Sequence, residues 1–368
     1  MSELSRSKEY QKVKNRLFFF SLALDGVLLL IFFYSGLSVS LKDIILGFTD
    51  NKIIVNAIYV LAFCAGFYVI HFPLHIFSGF VWEHRFGLSN QKFFAWLQDE
   101  LKGAGLNLFF AFVLIEVIYF FLGNFPRHWW VAAGMFWIFF SFILAKVTPE
   151  IIIPLFFKYQ QIDNEKLRSR IFELFKKCQV SLTNVYAIDL SRKSNKANAF
   201  MCGLGNNRRV VLSDTLLKEF SDEEIEIVVA HELAHYKRKD IAKLLLSNSC
   251  VIFLGFFLIH LYFRYAVSAH QLSALDDISF LPIVLLCFSL FVFLTAPAIN
   301  GYSRHIERLA DKFAIQQTRN PAGFVSMIQK LGQMNLAEFE PNKFIEIFLY
   351  DHPPIAKRIA YAKQFRFH

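Results

Sequence analysis

Six long apolar segments constrain the fold of this 368-residue chain more than any other feature of its sequence. A run of about 20 apolar residues crosses the ~30 Å hydrocarbon layer of a bilayer as a helix. Such runs occupy residues 17–39, 53–81, 106–125, 129–157, 244–267 and 278–300. Charged residues make up 19% of the chain, whereas about a quarter is usual in soluble proteins. The sequence therefore predicts an α-helical, multi-pass integral membrane protein.

Basic residues lie beside some of these spans and not beside others. Stretches that contain Lys and Arg precede the first span, follow the second, precede the fifth and follow the sixth. Cytoplasmic loops of membrane proteins carry an excess of Lys and Arg. We therefore expect both termini to be cytoplasmic. This topology also explains the net charge of +9, so we expect no nucleic-acid partner.

Two polar regions follow the fourth and the sixth spans, and they divide the chain into four parts. Residues 1–157 would contain four spans and a first cytoplasmic loop, and residues 158–243 a cytoplasmic polar region. Residues 244–300 would contain two further spans, and residues 301–368 a second polar region.

The first polar region combines helical and strand patterns. Apolar residues recur at helical spacing between residues 163 and 179 and predict an amphipathic helix. The stretches VYAID, ANAFMCG and RRVVLSD are typical of short strands, with a turn at 205–207. Ser221 is a suitable N-cap for the helix that follows.

This last helix contains the stretch HELAH, in which His231 and His235 are four residues apart. On a helix their imidazoles project from one face, one turn apart, as in zinc sites of the HExxH type. Glu232 is offset by about 100° and can act as a general base toward water at the metal. Because a catalytic zinc site has three protein ligands, a distant segment must supply the third.

The best candidate for the third ligand is Glu307, in the stretch RHIERLADKFA. Asp311 follows one helical turn later and could bind the outer nitrogen of a ligating histidine. Alternatively, both carboxylates belong to a solvent-exposed helix face. They would then pair with nearby basic residues, namely Arg304, Arg308 and Lys312. Beside HELAH, the ligand interpretation is favoured.

These motifs, taken together, resemble one family. HELAH and ExxxAD, preceded by SNKANAFMCGLGNNRRVVLSDTLL and followed by DHPPIAKRIA, resemble the M48 zinc metalloproteases. The stretch FVWEHRFGLSNQKFFAWLQDELKG is similar to the first cytoplasmic loop of the Ste24 subgroup, the type I CAAX prenyl proteases. Its F-V-x-E-x-x-x-G core consists of Phe80, Val81, Glu83 and Gly87. The resemblance covers the chain from about residue 8 to the C-terminus.

The resemblance implies a helical membrane barrel that encloses a chamber, closed at its cytoplasmic end by a small α+β zinc protease domain of the gluzincin type. Residues 158–243 and 301–368 would form this protease domain. His231, His235 and Glu307 would hold one zinc ion per chain, and Glu232 would be the base.

The resemblance also assigns substrate-contacting residues. Asn198, Ala199 and Phe200 match a strand that binds the substrate backbone, and such a strand can accept an extended peptide by β-addition. His352 and Arg358 match positions near the scissile carbonyl, where cations can stabilise an oxyanion or grip a C-terminal carboxylate. Without the resemblance, Asn198 could merely cap a turn and Arg358 could be an exposed charge.

We therefore predict an integral-membrane zinc metalloendopeptidase that cleaves near the C-terminus of proteins or peptides, prenylated or not, and has the bilayer as its other partner. Two alternatives remain. One is an HtpX-like quality-control protease, and the other is a non-catalytic membrane transporter or scaffold.

Six spans and short loops match bacterial members of the family and favour a bacterial inner membrane over the endoplasmic reticulum.

Several ionisable residues lie inside the predicted spans, among them two acidic residues and two histidines. Charge is costly at Asp25 and Glu116 unless each faces a cavity or a partner, and a proton or ion pathway is the alternative. His71 and His75 are one helical turn apart. We expect them to be chamber-facing or packed polar residues rather than a second metal pair.

Overall fold

The computed structural model describes residues 3–203, 208–268 and 275–367. Within these residues, six helices are long and apolar enough to cross a membrane. They are Leu4–Tyr34, Lys52–Arg85, Phe93–Asn124, Trp129–Phe156, Asp240–Tyr265 and Ile278–Thr318. The prediction of six spans is thereby confirmed. The turn expected at 205–207 lies outside the described residues.

Helices of the membrane part come first along the chain. They are α1 (Glu3–Tyr34), α2 (Leu37–Leu46), α3 (Lys52–His75), a π-helical stretch (Ile76–Val81), α4 (Trp82–Arg85), α5 (Phe93–Asn124), α6 (Trp129–Val147), a second π-helical stretch (Thr148–Ile152) and α7 (Ile153–Phe156). Two long helices follow later: α11 (Asp240–Ser268), then a 3₁₀ turn (Ile278–Phe280) that leads into α12 (Leu281–Thr318).

Shorter elements form the remainder. They are β1 (Tyr159–Gln161), α8 (Glu165–Lys177), β2 (Asn184–Ile188), a 3₁₀ turn (Leu190–Arg192), β3 (Ala199–Cys202), β4 (Arg209–Ser213), α9 (Asp214–Glu219), α10 (Asp222–Lys237), α13 (Pro321–Met334), α14 (Lys343–Leu349) and α15 (Ile355–Lys363).

The first span ends earlier than its hydropathy predicts. We expected it to reach residue 39, but α1 ends at Tyr34 and Gly36 has a φ of 79°. Glycine adopts this left-handed conformation without a steric penalty from Cβ. The chain therefore turns at Gly36, and Leu37–Leu46 form the separate helix α2.

Polar residues inside the membrane part have partners on neighbouring helices. Asp25 Oδ1 lies 3.1 Å from His71 Nε2. His75 Nδ1 lies 2.6 Å from Glu100 Oε1, on α5. The expectation that Asp25 faces a partner is confirmed. The two histidines each contact a different carboxylate and do not form a shared metal site.

A four-stranded sheet of order β1–β2–β4–β3 organises the first polar region. β2 and β4 are parallel, and the two outer pairs are antiparallel. The three expected strands are present, and β1 is an additional short strand that pairs with β2. β3 lies at one edge of the sheet, where its outer backbone groups can pair with another strand.

The helix α10 is held in place at its start and along its length. Ser221 Oγ accepts a hydrogen bond from Glu224 N, and Glu224 Oε2 accepts one from Ser221 N, which completes a capping box. The expected N-cap is therefore confirmed. Apolar side chains of α10, including Ile225 and Leu233, are buried in the core shared with α8, α13 and the sheet.

Close packing of α6 against α11 should make Gly134 intolerant of a side chain. A Cβ at this position would overlap the ring of Phe253, so Gly134→Ala should destabilise the protein by about 1–3 kcal/mol. Gly105→Ala on α5 is the matched control, because its Cβ would meet no atom within 4 Å. Thermal unfolding in detergent measures both. Equal midpoints for the two variants would contradict this packing.

Candidate metal centre

Two helices from distant parts of the sequence bring the expected ligands together. His231 and His235 lie on α10, and Glu307 lies on the last third of α12. His231 Nε2 is 3.1 Å from His235 Nε2 and 3.2 Å from Glu307 Oε2. His235 Nε2 is 3.3 Å from Glu307 Oε1. Among the described residues, this is the one group of His, Cys, Asp and Glu side chains arranged to hold a metal ion.

These separations suit a tetrahedral metal ion. Ligand atoms at ~2.0–2.1 Å from a tetrahedral zinc lie about 3.3–3.4 Å from one another. Glu307 Oε2 is buried and receives no well-directed hydrogen bond from the described residues. A buried carboxylate oxygen without a donor is unfavourable, and a bound cation would satisfy it. The donor set of two imidazoles and one carboxylate therefore fits zinc.

The electrostatics of the site also favour a cation. Burial alone would lower the pKa of His231, but the nearby carboxylates of Asp311 and Glu307 outweigh burial and raise this pKa to about 10. The carboxylates that hold a proton on His231 would equally favour a divalent ion between the imidazoles.

The carboxylate of Asp311 lies beside the outer nitrogen of His231, as we expected. Asp311 Oδ1 is 3.0 Å from His231 Nδ1, and Asp311 is 1% exposed. Glu307 is also buried, at 6% exposure. The alternative of a solvent-exposed face for these two carboxylates is therefore wrong.

Arg358 makes two hydrogen bonds to Asp311. Its Nε donates to Asp311 Oδ2 at 2.8 Å, and its Nη2 donates to Oδ1 at 2.5 Å. Arg358 is itself buried, so the alternative of an exposed charge is wrong. Asp311 thus contacts both the guanidinium of Arg358 and the imidazole of His231.

A second buried carboxylate, which we did not predict from the sequence, lies beside the histidines. Asp240 Oδ2 lies 3.2 Å from His235 Nδ1, and Asp240 is 1% exposed. The signal was present in the sequence, because Asp240 follows HELAH at the start of the next helix. Each histidine thus has a carboxylate at its outer nitrogen, which fixes the tautomer and orientation of a ligating imidazole.

A cavity of about 390 Å³ opens beside this cluster. Glu232, His352, Asn198 and Ala199 line it, whereas Phe200 is not among the lining residues. Side chains of adjacent strand residues point to opposite faces, which separates Phe200 from Ala199. The apolar wall includes Leu216, Val228, Met327, Ile328, Leu331 and Ile355.

Two titratable side chains line this cavity, those of Glu232 and His352. Burial raises the pKa of Glu232 above its usual value. His352 Nε2 lies 3.4 Å from Glu307 Oε1, and His352 Nδ1 lies 2.8 Å from Asp351 Oδ1. Burial would lower the pKa of His352, but Asp351 and Glu307 raise it.

Comparison with known proteins relates both halves of the chain to membrane proteases. Residues 161–366 match the model of peptidase family M48. The chain belongs to peptidase family M48. Residues 1–158 match the model of the CAAX prenyl protease N-terminal region, which has five membrane helices.

Similar proteins extend over most of this M48 chain. It is 29% identical over 367 residues to the uncharacterized metalloprotease YhfN of Bacillus subtilis, covering 99% of the chain and 86% of the relative. It is 30% identical over 301 residues to the probable CAAX prenyl protease 1 of Schizosaccharomyces pombe, covering 79% of the chain but 62% of that protein.

A solved structure shares the fold. The crystal structure of S. mikatae Ste24p superposes with a TM-score of 0.87 at 20% identity, covering 99% of this chain and 89% of that one. Together with the family matches, this confirms the prediction of a multi-pass membrane metalloprotease of the Ste24 type. Its substrates are peptides or proteins, and its environment is the membrane.

Removal of the Arg358 charge should destabilise this M48 protease more than removal of a neighbouring charge. Arg358→Met leaves the buried Asp311 carboxylate without its guanidinium, which should cost about 3–5 kcal/mol. Lys357→Met is the control, because Lys357 is 63% exposed and its pair with Glu346 should contribute less than about 1 kcal/mol. Denaturant unfolding in detergent compares them. An Arg358→Met protein as stable as the control would refute the role of the ion pair.

Proposed function

We propose that this protein is a zinc metalloendopeptidase that cleaves an extended peptide lying along β3. The observation that carries the proposal is the triangle of His231, His235 and Glu307 at the side of a cavity that Asn198 and Ala199 also line. Two imidazoles and one carboxylate are the ligand set of one large class of zinc peptidases.

His231, His235 and Glu307 would hold one zinc ion, which supplies Lewis-acid activation of water and of the peptide carbonyl when bound. Glu232 follows His231 on the same helix and faces the cavity. Its carboxylate can accept the proton of the attacking water and then deliver a proton to the leaving amine. Burial raises the pKa of Glu232, which makes its carboxylate a stronger proton acceptor.

His352 and Arg358 would then have different roles. His352 lines the cavity and has a raised pKa, so its imidazolium can donate a hydrogen bond to the oxyanion that develops at the scissile carbonyl. Arg358 donates to Asp311, which in turn contacts His231. We therefore propose that Arg358 positions Asp311 and, through it, the imidazole of His231.

The edge strand β3 offers a backbone on which a substrate can align. Asn198 O accepts a hydrogen bond from Ser213 N at 2.9 Å, so Asn198 pairs toward β4. Backbone groups alternate in direction along a strand, so those of Ala199 face the open edge. Ala199 N already donates to Asn198 Oδ1 at 2.9 Å, so an added peptide would pair with Ala199 O or displace the Asn198 side chain from Ala199 N. A peptide added here would run beside the proposed metal ligands.

The proposed location is a bacterial inner membrane, with both termini and the metal centre on the cytoplasmic side, as the basic flanks of the spans indicate. Several relatives are CAAX prenyl proteases by name. We therefore propose substrates cleaved near a C-terminus, with a prenyl group as an optional feature that the chamber would accommodate.

A Glu232→Gln variant should retain its metal and lose its activity. The amide keeps the shape of the side chain but cannot accept a proton, so cleavage should fall by about 10²–10⁴-fold. Glu226→Gln on the same helix is the matched control, because Glu226 pairs with Arg170 away from the cavity. Metal content by elemental analysis and cleavage of a fluorogenic peptide measure the two effects. Full activity in Glu232→Gln would exclude Glu232 as the base.

Cleavage of a farnesylated CAAX peptide and of its unprenylated twin tests the substrate. We expect a zinc chelator to abolish cleavage by the purified protein in detergent, and added zinc to restore it. Cleavage of the farnesylated peptide alone would establish prenyl dependence. Equal cleavage of both peptides would keep the zinc mechanism and assign a broader specificity. Absence of both zinc and cleavage would overturn the proposal.

A further inference from the structure

The loop that follows the second span contacts the chain segment that leads into β3. We call residues 82–91 the docking loop and residues 193–198 the approach segment. Asn90 N donates to Lys193 O at 3.0 Å, and Asn195 N donates to Leu88 O at 3.0 Å. Between these bonds, Ser89 and Ser194 form an isolated antiparallel bridge. The docking loop therefore pairs with the approach segment as two very short antiparallel strands would.

Glu83 connects this loop to two other elements. Its Oε1 accepts hydrogen bonds from the Tyr10 hydroxyl at 2.5 Å and from Lys14 Nζ at 3.1 Å, both on α1. Its Oε2 lies 2.9 Å from Lys196 Nζ, on the approach segment. The Glu83 side chain is only 12% exposed, so its charge is shielded from water and depends on these partners.

The approach segment is also bonded to Asn335, the residue that follows α13. Asn335 Oδ1 accepts from Ala197 N at 2.9 Å, and Asn335 Nδ2 donates to Ala197 O at 3.2 Å. The next residue, Leu336, is buried in an apolar cluster with Tyr10, Trp82, Phe86 and Leu88. The approach segment is therefore bonded to the docking loop through Glu83, which is also bonded to α1, and separately to the end of α13 through Asn335.

We propose that Glu83 is a positioning residue for the peptide substrate, which it places by fixing Lys196 and, two residues later, the substrate-binding edge at Asn198 and Ala199. This inference rests on the proposed function, because it takes β3 as the strand that receives the peptide. A fixed strand lowers the ordering cost of substrate binding, and a small displacement of it would misalign the peptide with the metal centre.

The metal ligands are held by different contacts. α10 packs in the core formed with α8, α13 and the sheet, and Glu307 lies on α12. Neither depends on the Glu83–Lys196 pair. Loss of this pair should therefore weaken peptide binding and leave the metal content unchanged, a combination that general unfolding would not produce.

The test measures peptide binding without cleavage, in the Glu232→Gln background. The probe is a fluorescein-labelled peptide that the wild-type protein cleaves, and its Kd is measured by anisotropy. Glu83→Gln and Lys196→Met should each raise the Kd by about tenfold. The double variant should be no weaker than Lys196→Met alone, because that variant already removes the contact with Glu83, together with the 3.3 Å contact of Lys196 Nζ with the Tyr10 hydroxyl. Zinc content should stay at the level of the parent protein.

Lys14→Met is the matched control. It removes the other lysine from the same Glu83 carboxylate but does not touch the approach segment, so its Kd should stay within about twofold of the parent. An unchanged Kd in both Glu83→Gln and Lys196→Met, or additive effects in the double variant, would overturn the inference. A wild-type protein that neither holds zinc nor cleaves the peptide would instead overturn the proposed function, before any of these variants is compared.

Discussion

The packing of α10 against the end of α12 is the contact on which the rest of the molecule depends. His231 faces Glu307 and Asp311 across this contact, and all three are buried. The 38-residue α12 is a single helix that contains both the sixth span and Glu307. α11, which contains the fifth span, begins at Asp240 beside His235. Each of the last two membrane-spanning helices therefore contributes a carboxylate that contacts the two histidines, which explains how a membrane region and a protease region form one structure.

The acidic side chains where α10 packs against α12 explain why this part of the protein needs both the guanidinium of Arg358 and a bound cation. Glu232, Glu307 and Asp311 lie close together in an environment where an unpaired charge is strongly unfavourable. Arg358 neutralises Asp311 through two hydrogen bonds. A divalent ion between the imidazoles would neutralise the remainder, and for this reason stability and activity should both depend on the same ion.

Much of the architecture could be predicted from the sequence, because the relevant signals are local. Span length, the helical spacing of HELAH and the pair Glu307 and Asp311 each depend on periodicity within one element, and the resemblance to M48 proteases connected them. Two of the interactions that we did not predict join residues far apart in sequence, whereas the pair of Asp240 and His235 and the break at Gly36 are local features. Hydropathy could not show that Arg358 binds Asp311, that His71 meets Asp25, or that a glycine at 36 ends the first span. The assignment of domains, site roles and membrane orientation stays a prediction.

The central claim is that two histidines and one glutamate hold a zinc ion in this protein. X-ray absorption at the zinc edge, on protein purified in detergent without added metal, tests it most directly. We predict one zinc per chain, coordinated by two imidazoles and oxygen ligands at ~2.0–2.1 Å and by no sulfur. The imidazole signal should vanish, with the metal, in His231→Ala. A protein that cleaves peptides without bound zinc, or a zinc ion with sulfur ligands, would contradict the account.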